Sequence, residues 1–210
     1  MLTFNEARHE YRLDGMVVPS VTQILKPLTD YSRINPDALE RARQQGVAIH
    51  KTVELDVAAQ LDEDALPEWL RPYLSAWRSF GASTEFRAIG AELRIGHPTA
   101  RYAGTPDLIC VAGKEVWLID VKRSLYAGRA IGLQTAGYAR LWHAYPANRK
   151  INRRFALVLR DATYRLEEFK DPHDDAVFLA ALTMHKWTTQ GSSHHHQGAV
   201  NGNANANGNA

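Results

Sequence analysis

The stretch GTPDLICVAGKEVWLIDVKRS, residues 104–124, carries two strand-like apolar runs on either side of Gly113-Lys114. Glycine at the first central position of a two-residue loop favours a type II′ hairpin turn. That turn pairs Ala112 with Glu115, and counting back pairs Asp107 with Asp120. Along EVWLIDVK the side chains alternate, so Val116, Leu118, Asp120 and Lys122 share one face, with Trp117, Ile119 and Val121 on the other. Directly opposed residues also share a face, with Cβ atoms about 4.5–5.5 Å apart. Two carboxylates that close repel each other unless protonated or bridged by a cation. A divalent cation with oxygen ligands resolves the conflict. A three-residue loop would instead send the two acids to opposite faces.

Working outward, residues 2–18 read as a hairpin turning at Asp14-Gly15. Pro19-Ser20 opens a short helix, with Ser20 as N-cap for VTQILKPL. A longer helix starts near Asn35-Pro36-Asp37 and runs to Leu61. Another covers 66–80, where Leu66, Leu70, Tyr73, Leu74 and Trp77 form a core-facing stripe. The period then changes: 86–96, 101–111 and 115–121 read as a three-strand antiparallel meander. A helix over 128–145, strands at 155–160 and 163–169, and a helix from Asp171 to Trp187 complete the order. The expected fold class is α/β, a central mixed sheet with helices packed on its faces. Residues 1–190 form the expected domain. Residues 191–210, rich in Gly, Asn and Ala, cannot bury a core and read as a disordered tail.

The chain has 210 residues, 45% apolar and 23% charged, the composition of a soluble globular protein. No apolar run approaches the roughly 20 residues of a membrane helix. The N-terminus lacks the pattern of a signal peptide. A single cysteine, Cys110, excludes an internal disulfide and sits in a strand-like run as core filler. A cytoplasmic protein of a bacterium or a phage-infected cell is the expectation. Net charge is only +2, but no Asp or Glu occurs between Val121 and Arg160, where nine Lys and Arg residues lie. Residues 54–68 are acidic in balance. Such segregation points to a face that meets polyanions.

Residues 104–124 resemble the PD-(D/E)XK nuclease superfamily, in which an Asp on one strand precedes an acid-x-Lys on the next. Asp107, Asp120 and Lys122 match those positions, with Asp120 in the slot that is often Glu. Gly46 to His50 resembles the Gly-x-x-x-His helix of the RecB-like branch, and Gln134 to Tyr138 its Gln-x-x-x-Tyr helix. Pro19-Ser20-Val21-Thr22 with Ile24-Leu25 looks like the opening of phage-type and mitochondrial exonuclease members. The resemblance implies a restriction-endonuclease-like core and phosphodiester hydrolysis with one or two Mg2+ or Mn2+ ions. It implies metal ligands at Asp107, Asp120, His50 and the carbonyl of Val121. It gives Lys122 the attacking water or the developing charge. Glycine at 46, permitting close backbone approach, supports His50 as a ligand. Glu54, one helical turn from His50, and Glu92, at an acid the branch often carries, are candidate supporting acids. Gln134, Tyr138, Ser124, Arg123 and Arg101 are candidate substrate contacts. Gly104 lets the backbone bend or approach closely before Asp107.

The expected activity is that of a DNA exonuclease in phage or bacterial recombination, replication or repair, working with a single-strand-annealing or recombination partner protein and no membrane. Two alternatives stand beside it: a structure-specific or restriction-type endonuclease, and a nucleic-acid-binding module with a relict site. An intact Asp107, Asp120 and Lys122 set argues against the relict. Oligomeric state is not readable from the residues.

Overall fold

A computed structural model describes residues 1–125 and 128–191. Most of the expected tail, residues 192–210, lies outside them. The N-terminal strands β1 (Leu2–Asn5), β2 (Glu10–Leu13) and β3 (Met16–Val18) form an antiparallel sheet in that order. The expected hairpin is therefore three strands. Its first arm breaks at residues 6–9, where His9 takes a left-handed φ of 48°. The Asp14-Gly15 turn forms with both residues left-handed, as a type I′ turn requires.

Helix α1 (Val21–Leu25) starts at a capping box: Ser20 Oγ accepts from Gln23 N, and Ser20 N donates to the Gln23 side chain. Helix α2 (Pro36–Val57) is capped by Asn35 and stops four residues short of expectation, because Ala59 turns left-handed. Helix α3 (Arg71–Thr84) runs four residues past its expected end to a left-handed Glu85.

The expected meander is cut twice. Its first two strands split into β4 (Arg87–Ala91) with β5 (Ile95–Gly96), and β6 (Ala103–Gly104) with β7 (Leu108–Ala112). The pieces β5 and β6 pair as a separate ribbon. Glu92, with φ 48°, makes the first break. The third strand, β8 (Glu115–Lys122), is uninterrupted. Helix α4 (Arg129–His143) then crosses over to β9 (Arg153–Arg160), which lies parallel to β8. Strand β10 (Thr163–Glu168) and helix α5 (Asp174–Gly191) follow. The central sheet is mixed, in the order β10-β9-β8-β7-β4.

Both faces of this sheet are covered, which is why β8 reads as a nearly continuous apolar run. One face packs Leu108, Cys110, Ile119, Val121 and Phe155 against Ile49 and Val53 of α2 and Leu74, Trp77 and Phe80 of α3. The other packs Ile109, Val116 and Leu118 against α1, α4 and α5, through Ile24, Leu141, Trp142 and Phe178. Cys110 is fully buried in the first layer. Among the described residues, no helix is long and apolar enough to cross a membrane.

Candidate active site

The hairpin between β7 and β8 has the expected register, with Ala112 opposite Glu115 and Leu108 opposite Ile119. Gly113 has φ 59°, as a II′ turn demands at its first central residue. The ladder ends one pair before Asp107 and Asp120. Alternation puts both with Ile109 and Leu118, on the α4 side of the sheet.

Asp120 is fully buried. Neither of its carboxylate oxygens has a well-formed hydrogen bond among the described residues. Lys122 Nζ meets Oδ2 at 2.7 Å as an ion pair. Asp107 is nearly as buried, and its Oδ2 accepts the Val121 N–H at 2.6 Å. From α2, His50 reaches over the end of the sheet. Its Nδ1 lies 3.2 Å from Asp107 Oδ1 and 3.6 Å from Glu92 Oε1. Its Nε2 sits 2.8 Å from the Val121 carbonyl.

Glu92 reaches this point through two irregularities. Ile89 is an extra residue in β4, a bulge between the Ala88 and Gly90 pairs, and Glu92 itself is left-handed. Bulges re-aim side chains in this way. Its N–H donates to the Asp107 carbonyl at 2.9 Å, fastening it to the site.

The electrostatics follow from this packing. Burial works against the charge on His50, yet Asp107 and Glu92 push it up to about 10. Burial pushes Asp120 up, with Asp107 adding to it and Lys122 opposing. Burial also opposes the charge on Asp107, but His50 and Lys122 hold it below the usual carboxylate range. Burial disfavours the Lys122 ammonium, and Asp120 and Asp107 more than restore it.

Ligand atoms of His50, Glu92 and Asp107 all lie within 4.8 Å of one another. Atoms so spaced can surround one hard cation, whose oxygen ligands stand about 2.0–2.6 Å away. One imidazole and two carboxylates, with Asp120 buried beside them, could hold a divalent cation.

Other candidates divide. Gln134 Nε2 donates to the Tyr138 hydroxyl at 3.1 Å on α4. Burial first, then the charges of Asp120 and Asp107, raise Tyr138 well above its ordinary value, so its phenol faces the carboxylates as a neutral donor. Arg123 is exposed and donates to Gln45 on α2, and Ser124 is exposed beside it. Glu54 pairs with Lys51 at 2.9 Å, outside the ligand group, although its charge reaches Glu92. Arg101 is engaged elsewhere, with its guanidinium on Asp14 and the Leu13 carbonyl. The Val121 carbonyl faces His50 Nε2 and so orients that ring. Gly46 has no neighbour within 4 Å of where a Cβ would stand, so close approach is not its reason. Gly104 does stand where space is short: a Cβ there would come within 2.7 Å of the Tyr138 ring.

Sequence reasoning missed Tyr11, whose hydroxyl lies 2.6 Å from Thr105 Oγ1. It comes from a segment whose position relative to the site nothing local encodes.

No family model matches the chain, and no curated protein matches it. Among solved structures, an alkaline exonuclease (LHK-Exo) from Laribacter hongkongensis aligns over 84% of this chain and 93% of that chain, at 14% identity and TM-score 0.33. The same exonuclease in complex with dAMP aligns over the same shares at 15% identity and TM-score 0.34. Likeness at this distance leaves the case with the residues of this chain.

Proposed function

We propose that this protein is a Mg2+- or Mn2+-dependent deoxyribonuclease that hydrolyses phosphodiester bonds from DNA ends. The observation that carries this is Asp120, a fully buried carboxylate that meets only the Lys122 ammonium among the described residues and lies beside Asp107 and His50. Burying a carboxylate in that company, with the Lys122 ammonium against one oxygen only, costs on the order of several kcal/mol, a cost that a binding function explains and packing does not. His50, Glu92, Asp107 and Asp120 would hold the cation. When bound, it supplies Lewis-acid stabilisation of the developing phosphate charge and acidifies a water.

The chain's own residues do the rest. Lys122 keeps its proton beside Asp120 and offers an ammonium to a phosphate oxygen. Tyr138, protonated and fixed by Gln134, donates from the α4 side. Val121 orients His50 through its carbonyl, and Arg123 and Ser124 sit exposed where a phosphate backbone would approach. The resemblance over roughly residues 10–140 supports DNA as substrate, and the likeness of Pro19-Ser20-Val21-Thr22 with Ile24-Leu25 to phage-type and mitochondrial exonuclease members supports attack at ends over internal cleavage.

The test is digestion of end-labelled linear DNA and closed circular DNA with Mg2+ or Mn2+. Linear DNA is expected to be degraded and circular DNA spared. Cleavage of the circle at a comparable rate identifies an endonuclease instead. No cleavage of either identifies a binding module.

A further inference from the structure

The segment leading into Asp107 is held by a different part of the molecule at almost every residue. The Tyr102 hydroxyl donates to the Gly137 carbonyl of α4 at 3.1 Å. Ala103 N donates to the Pro19 carbonyl at 2.9 Å. Gly104 lies against the Tyr138 ring. Thr105 Oγ1 meets the Tyr11 hydroxyl at 2.6 Å, a bond spanning 94 residues of sequence.

Tyr11 is only 3% exposed and belongs to a small cluster with Leu13, Val18 and Ala103. Its ring packs on Phe4 at 4.5 Å. Packing of that kind asks only for an aromatic ring, and phenylalanine would serve. A buried hydroxyl costs free energy unless bonded, and the bond to Thr105 is what offsets that cost here.

We infer that Tyr11 is a positioning residue for the active site, acting through Thr105 on Asp107 and making the N-terminal sheet part of the catalytic machinery. This rests on the nuclease function proposed above. The linkage is short. Pro106, with its fixed φ, is all that separates Thr105 from Asp107. Asp107 in turn fastens Glu92 through its carbonyl and β8 through Oδ2. A shift at Thr105 therefore moves two carboxylates relative to Lys122. Arg101 holds the same sheet at its β2–β3 turn, through Asp14 and the Leu13 carbonyl, which gives that arginine a structural use.

The experiment compares wild type, Tyr11→Phe, Thr105→Val, the double variant, Thr105→Ser and Asp120→Asn for Mn2+-dependent cleavage of linear DNA, well below every variant's Tm. Tyr11→Phe and Thr105→Val are each expected to lower kcat by about tenfold to a hundredfold, with KM for DNA unchanged and more Mn2+ needed for half-maximal rate. The double variant is expected to lose no more than either single one, and Thr105→Ser to keep wild-type activity. Wild-type kcat in Tyr11→Phe, or a double variant whose losses multiply, overturns the inference. If Asp120→Asn is inactive while Tyr11→Phe is fully active, only the role of Tyr11 falls. If wild type and Asp120→Asn behave alike, the nuclease function falls with it.

Discussion

Asp107, Asp120 and Glu92 bring three carboxylates within reach of one imidazole and one ammonium. Even with His50 charged, as its rise to about 10 implies at neutral pH, the group is one positive charge short. The deficit is concentrated at Asp120, the deepest of the three. Alternation along β8 and a two-residue loop were enough to read Asp107, Asp120 and Lys122 from the sequence, because both are local rules. Glu92 was named only through the resemblance, because the bulge that aims it is announced by no local pattern, and Tyr11 was missed because its contact spans 94 residues. Cys110 was also readable, from its place in an apolar strand. Burial pushes its thiol up to about 12. A maleimide at pH 8 is therefore expected to leave the folded chain unmodified and to take up one equivalent after denaturation. Rapid labelling of the native protein would contradict this packing.

At the scale of elements, the helices and the uninterrupted strands were readable because their periods persist over many residues. The two split strands were not, since the break depends on backbone turns at Glu92 and before Asp107. Pairing of β9 with β10 is reinforced by Arg153, which grips Glu168 through two hydrogen bonds of 2.9 and 2.6 Å. The same guanidinium lies over the rings of Trp117 and Phe155. Arg153 holds the Glu168 carboxyl down at about 2, from an ordinary 4.5. A depressed carboxylate contributes stability that is present above its unfolded value and lost as pH falls through the folded one. Glu168→Gln is thus expected to lower Tm at pH 6, with the gap to wild type closing between pH 4.5 and 2. A gap that is constant across that range would show that the ion pair is not its source.

For the whole molecule, the basic run from Val121 to Arg160 proves a poor guide to its surface. Arg140 pairs with Asp175, Arg153 with Glu168, Arg154 with Asp174 and Arg160 with Asp161. The acids that answer this run follow it in the sequence, so counting charge by segment overstated the net field. Arg123, by contrast, bonds to the neutral Gln45 beside the site and to no acid among the described residues. DNA affinity is expected to fall with salt, and Arg123→Gln to reduce that slope by about one unit. Arg140→Gln, on the opposite face of α4 from Tyr138, is expected to leave the slope unchanged. Equal effects from the two variants would restore a continuous basic track.

The central claim is that Asp120 is buried for chemistry and not for stability. Asp120→Asn separates the two when Mn2+-dependent cleavage of end-labelled linear DNA and Tm are measured on the same preparation. Cleavage is expected to fall by at least about a hundredfold, while Tm holds or rises because the surplus negative charge of the group has gone and Asp107 still supports the Lys122 ammonium. A variant that cleaves at the wild-type rate, or that loses activity only because it unfolds, would contradict the claim.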